Sequence, residues 1–143
     1  MLVRERFVLN QGTTDQILGL KPEFGYNGFG EAVFYRTYSR TKKDGGQETW
    51  NDVVIRVING VISIRKDHYI RNGLTWDEAF WQGYAGRMAL SLFYMEWMPP
   101  GRGLWSMGTD FVYERGSMSL YNCAYTEIHD DIPEACAWIM DCL

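Results

Sequence analysis

The chain has 143 residues, 46% of them apolar, with a formal net charge of -4 and a pI near 5.1. That is the size of one ordinary domain with enough apolar residues for a core, which argues against disorder; the acidic balance argues against general nucleic-acid or polybasic membrane binding, both of which need a positive surface field. No run reaches the ~18 apolar residues of a membrane span, and the opening MLVRERFVLN lacks the apolar stretch of a signal peptide, so a soluble, cytoplasmic protein is expected.

Residues 1–31 carry Gly12, Gly19, Gly25, Gly28 and Gly30 with only short apolar runs, and read as short elements joined by turns. AVFYRTYS at 32–39 is rich in aromatic and β-branched residues and predicts a strand, ended by the turn-prone KKDGG at 42–46. The basic cluster Arg36, Arg40, Lys42 and Lys43 fits a solvated loop better than a phosphate contact. In VVIRVINGVISIRK, Asn59-Gly60 between apolar runs is a hairpin signal. The rival helix is the better reading: Trp50, Val53, Val54, Val57, Ile58, Val61 and Ile62 follow the helical period, Thr49 with Asp52 resembles an N-terminal cap, and strand alternation fails at Val54, Arg56 and Ile58. A mid-helix Gly60 then costs about 1 kcal/mol.

A second helix is expected from Trp76 to about Trp97. Thr75 to Glu78 forms a capping box, Leu74 is placed to staple onto Ala79, and Pro99-Pro100-Gly101 forbids continuation. Its two adjacent apolar stripes imply contacts on two sides. GRGLWSMGT reads as a Gly-rich turn, and MSLYNCAYTEI at 118–128 as a strand carrying Cys123. Asp130 or Asp131 can cap a final helix with Pro133 and Glu134 in its first turn. That helix stops at Leu143 with its apolar face uncovered, which predicts a cut chain or a covering polypeptide.

The three cysteines, Cys123, Cys136 and Cys142, match neither a disulfide framework nor a CxxC metal site. A lone cysteine on an apolar strand is ordinarily a small buried hydrophobe, although Tyr121 and Asn122 are polar or amphipathic neighbours. Five strand residues forward cover ~16 Å and ten helical residues back ~15 Å, so Cys142 would lie level with Cys123 but across a layer spacing of ~10 Å, a marginal disulfide geometry. Any redox partner of Cys123 is therefore expected outside this chain. No metal site is expected, because His68 and His129 are isolated. Arg102, between Gly101 and Gly103, could bring a guanidinium and backbone donors to a phosphate together, with a plain turn as the simpler alternative. The six tryptophans read as core or subunit contact.

VFYRTYSR at 33–40, ETWND at 48–52, RKDHYIRNG at 65–73 and, most specifically, WMPPGRGLWSMGTDFVYERGSMSLYNCA at 97–124 resemble the N-terminal part of the adenosylcobalamin-dependent ribonucleoside-triphosphate reductases. The resemblance covers roughly residues 30–143. It implies an α/β fold, mostly helical here, in which a helical region with a short strand and turns at 1–117 leads into the first strand of a ten-stranded α/β barrel and the helix that follows it at 118–143, with the barrel incomplete. It also implies thiyl-radical reduction of a ribonucleoside triphosphate, with Cys123 as one of two thiols that become a disulfide. Asn122, Arg102, Gly103 and Thr109 would line the substrate side. Adenosylcobalamin would be bound mainly by a missing C-terminal part of the enzyme, a thioredoxin-like or dithiol reductant would restore the thiols, and an allosteric nucleotide is a further ligand the family allows. The radical-forming cysteine, the partner thiol and the catalytic carboxylate of the family have no counterpart here, so the chain is expected to be inactive alone, whether through a split gene, an intein or truncation. Two other readings stay open: a non-catalytic nucleotide-binding or subunit-contact module, and a fragment of a diphosphate-reducing, metal-radical reductase.

Overall fold

A computed structural model describes residues 3–116, 120, 121, 123 and 125–142. Its elements in chain order are α1 (Gln11–Leu18), a 3-10 turn (Tyr26–Gly28), α2 (Phe29–Thr37), α3 (Trp50–Arg71), α4 (Glu78–Phe93), α5 (Gly101–Ser106), α6 (Asp110–Arg115) and α7 (Ile132–Cys142). Among the described residues, extended pairing is limited to an isolated antiparallel bridge, Thr41 to Gln47, which closes the expected KKDGG turn.

The 22-residue α3 is the post around which the rest is built. Its start is the expected one: Thr49 accepts from the Asp52 amide while Asp52 accepts from the Thr49 amide, a reciprocal capping box. The helix reading of 50–62 is thus borne out, and it continues to a Schellman ending in which Gly73, at φ +65°, and Leu74 donate to Ile70 and Tyr69. Val53, Val54, Val57, Ile58 and Ile62 are buried against Ala85, Ala89 and Leu92 of α4, with Ile17 of α1 and Leu104 of α5 in the same cluster.

Four expectations are corrected. The strand at 32–39 lies mostly within helix α2: a lone strand would leave its backbone unpaired, whereas the helix satisfies it internally and turns Phe34 inward, 5.3 Å from the Phe24 ring and 5.6 Å from that of Trp50. Helix α4 starts later than the Thr75 box allows. Asp77, a stronger cap than Thr, accepts from Phe80 N at 3.0 Å, and this places Trp76 and Trp81 at the staple positions, stacked at 4.9 Å; Leu74 is exposed. The same helix ends at Phe93, before the prolines, because Met95 takes φ +59° and Glu96 and Met95 donate to Ser91 and Leu92. GRGLW is a short helix rather than a turn, entered from Pro100. No described residue of 118–128 lies in a strand, since no described segment of this chain offers it a backbone to pair with. The last helix is capped as expected, by Asp131, which accepts from Glu134 N.

An unexpected feature fixes the N-terminus. The extended segment 3–9 lies along α3, with Val3, Phe7 and Leu9 buried. Its amides donate to one polar stripe of the helix: Leu9 N to Asn59 Oδ1 (2.9 Å), Phe7 N to Ser63 Oγ (2.9 Å), and Glu5 N and Arg4 N to Asp67 Oδ1 (3.2 and 2.8 Å). Two extended residues advance ~6.6 Å and four helical residues ~6 Å, so steps of two and of four stay in register. Asp67 is fully buried and also meets Arg71 Nε at 2.7 Å. Burial alone would raise its carboxyl, but the Arg4 and Glu5 amides and the Arg71 charge outweigh burial and hold it below its ordinary 3.8.

Two outcomes follow from this packing. Because the folded carboxyl is depressed, Asp67 contributes stability that is complete above the ordinary carboxylate pKa and is lost as pH falls through the lower folded value. Asp67→Asn should cost about 2 kcal/mol in urea denaturation at pH 7, and the gap to the parent should shrink in acid; a gap unchanged in acid would contradict this. A methyl group at Gly60 would lie 2.4 Å from Gly108 N. Gly60→Ala should therefore destabilise by about 1–3 kcal/mol despite the ~1 kcal/mol gain in helix propensity, and a raised melting temperature would refute the contact.

Candidate functional site

The corner formed by α5 and α6 is held by charges on and beside α3. Arg56 lies within the apolar run VVIRVI of α3 and is nearly buried, as is its partner Glu48. The two form a bidentate pair, Nε to Oε1 at 2.7 Å and NH2 to Oε2 at 2.9 Å. The same guanidinium donates to the carbonyls of Met107 (2.6 Å) and Leu104 (2.9 Å), at the C-terminal end of α5. Arg40 adds a third donor, to Trp105 O at 3.2 Å, with its guanidinium 4.5 Å from the centre of the Trp105 ring. The orphan carbonyls that a six-residue helix leaves at its end are thus taken by arginines, the residue whose planar fork suits two acceptors at once.

Backbone contact completes the corner. Gly60 of α3 and Gly108 touch directly, and a Cβ at Gly108 would lie 2.2 Å from Arg56 O. Gly108 also has φ +79°, a conformation that side chains disfavour. Thr109 follows as the residue preceding α6, its hydroxyl donating to Ser106 O at 2.7 Å.

The site residues expected from sequence fall as follows. Arg102 projects from α5, half-buried, and NH1 donates to Tyr121 O at 2.8 Å. Gly103 is buried, where a Cβ would press on Pro99 at 3.1 Å. Cys123 is an exposed free thiol, and Cys136 on α7 is another. Asn122 lies outside the described residues. The structure therefore brings Arg102 to the chain two residues before Cys123, and gives Gly103 and Thr109 packing and hydrogen-bonding duties within the corner. Of the basic cluster, Lys42 pairs with Asp52 at 3.1 Å, Arg40 belongs to the α5 clamp and Arg36 is exposed.

Sequence reading missed Arg56 and Glu48 as a pair. The available signal was a charged residue inside an otherwise apolar helical run, which needs a partner when buried. Each residue of ETWND has such a duty: Glu48 holds Arg56, Thr49 and Asp52 cap α3, Trp50 Nε1 donates to Phe93 O at 3.0 Å, and Asn51 Nδ2 donates to the carbonyls of Ile17 and Leu20 at 2.6 and 3.0 Å.

Away from the corner, a groove of about 490 Å³ runs between α3 and α4, lined by Val61, Ile64, Arg65, His68, Trp81 and Tyr84 among others. Among the described residues no three His, Cys, Asp or Glu side chains converge as a metal site would require, and no helix is long and apolar enough to cross a membrane.

Comparison with known proteins places these features. The family described as ribonucleotide reductase alpha domain matches residues 9–109, an interval that contains the whole Arg56 clamp together with Arg102, Gly103 and Thr109 and ends before Cys123. The adenosylcobalamin-dependent ribonucleoside-triphosphate reductase of Euglena gracilis is 38% identical over 123 residues, 85% of this chain and 17% of that protein. A probable adenosylcobalamin-dependent ribonucleoside-triphosphate reductase of Dictyostelium discoideum is 35% identical over 127 residues, 88% of this chain and 17% of that one. A crystal structure of a B12-dependent (class II) ribonucleotide reductase superposes with a TM-score of 0.68 at 28% identity, over 82% of this chain and 16% of that one. The chain thus spans about a sixth of the length of the relatives it matches, and it belongs to the ribonucleotide reductase alpha-domain family.

Proposed function

We propose that this chain is the N-terminal part of an adenosylcobalamin-dependent ribonucleoside-triphosphate reductase, a cytoplasmic enzyme completed by further polypeptide. The observation that carries the reading is the family match over 9–109, joined to relatives whose names specify both cofactor and triphosphate substrate. The relatives' names favour a triphosphate over the diphosphate alternative. In this reading residues 118–128 become the first strand of the α/β barrel once neighbouring strands are supplied.

Cys123 is one of two reducing thiols. In the net reaction two thiols are oxidised to a disulfide, the ribose 2′ hydroxyl leaves as water, and two electrons and two protons pass from the thiols to substrate and leaving group. An exposed, unpaired thiol suits that role, because a redox pair needs closeness in the fold and none in sequence. The second thiol lies on the remaining polypeptide, and a dithiol or thioredoxin-like protein re-reduces the pair. Arg102, Gly103, Thr109 and Asn122 frame the substrate side. Adenosylcobalamin would be held mainly by the remaining polypeptide, where it would supply the radical.

Co-expression of this chain with the remaining part of such a reductase, supplied with adenosylcobalamin, a ribonucleoside triphosphate and a dithiol, should yield deoxynucleotide. Cys123→Ser should reduce turnover to background while shifting stability by less than about 0.5 kcal/mol, as for an exposed site. Turnover surviving the substitution would overturn the assignment of Cys123.

A further inference from the structure

We infer that Arg56 and Arg102 form a positioning relay that sets where the Cys123 segment leaves the helical body. The inference rests on the reductase reading for its consequence in turnover, and on geometry alone for its existence. The first stage is the buried Glu48–Arg56 pair, whose guanidinium holds the carbonyls of Leu104 and Met107. Helix α5 has six residues, too few to be stable by itself, so its orientation comes from these bonds, from Arg40 on Trp105 O and from the Gly60–Gly108 contact.

The second stage starts from that fixed helix. Arg102 projects from it and donates NH1 to Tyr121 O at 2.8 Å. Cys123 follows two residues later, at most ~7 Å along the chain. A carbonyl so held restricts the directions from which Cys123 can start, whereas Cys123 itself is exposed and has little packing to hold it. Arg102 is therefore a positioning residue, acting on the thiol through the Tyr121 carbonyl, and Arg56 acts on Arg102 through α5. A thiol that must meet both a substrate and a second thiol depends on such placement, since misplacement by about 1 Å can cost on the order of a hundredfold in rate.

Spin labels at Cys123 and at Gln16→Cys on the exposed side of α1, in a Cys136→Ser, Cys142→Ser background, report the spread of distances between the segment and the helical body by pulsed electron resonance. The parent should give a narrow distribution. Arg102→Met, which keeps the aliphatic stem and removes the donors, should broaden it about twofold; Arg102→Lys should broaden it less, and the exposed control Arg36→Gln not at all. Arg56→Lys, measured below its own melting temperature, should broaden it as Arg102→Met does. In the assembled reductase, Arg102→Met should lower kcat about tenfold with KM for nucleotide within about twofold. An unchanged distribution in Arg102→Met overturns the relay, and a KM then raised tenfold or more would make Arg102 a phosphate contact instead. The distance measurement needs no turnover, so an inactive assembly with the predicted broadening would count against the reductase reading and leave the relay standing.

Discussion

The structure depends on one constraint: backbone groups that no regular element satisfies must find side-chain partners, chiefly on α3, with Gln82 of α4 and Arg40 taking others. A buried amide or carbonyl left unpaired costs about 1–3 kcal/mol, and this chain has long irregular stretches at its N-terminus, between α1 and α3, and around α5. The polar residues of α3 meet that need at intervals along its length. Asn51 takes the end of α1, Arg56 the end of α5, and Asn59, Ser63 and Asp67 the extended segment 3–9. The apolar residues between them, Val53, Val54, Val57, Ile58 and Ile62, face the core. One helix thus carries both the hydrophobic face and the hydrogen-bonding posts.

This arrangement connects the fold to the proposed chemistry. The segments on which the resemblance to the reductases rests serve the packing around α3. ETWND supplies the helix cap and the partner of Arg56, and PGRGLWSMG supplies the clamped helix α5 and the glycine that lets α3 approach. The family's interval ends at residue 109, so what it describes here is chiefly the platform. Cys123 stands beyond it, connected through Arg102. In the proposed reading, a reducing thiol on an exposed segment is paired with a corner beneath it that is fixed by hydrogen bonds.

The helical framework was legible where the signal was local. Thr49 with Asp52 and the spacing of the valines and isoleucines gave α3 correctly, and Asp131 gave the start of α7. Failures came where tertiary contacts decide. The aromatic and β-branched run at 32–39 favours a strand by composition, yet Phe34 finds its partners only in a helix packed on Trp50. Thr75 fits a capping box, but the stacking of Trp76 on Trp81 favours the start at Asp77. Gly60 costs helix propensity in the sequence, and the contact with Gly108 that requires it is tertiary. The hold of Arg56 on Leu104 and Met107 and the ladder from segment 3–9 join residues between 48 and 63 apart, beyond any local pattern. Cys123 reads in the sequence as a thiol without a convincing local partner, and the role proposed for it rests on resemblance.

Native-state amide hydrogen exchange on this chain tests the central claim most directly. If α3 satisfies the irregular backbone, the Phe7 and Leu9 amides should exchange as slowly as the core amides of α3 around Val57 and Ile58, with protection set by global unfolding. Exchange of Phe7 and Leu9 at the rate of an unstructured peptide, with α3 itself protected, would contradict the account.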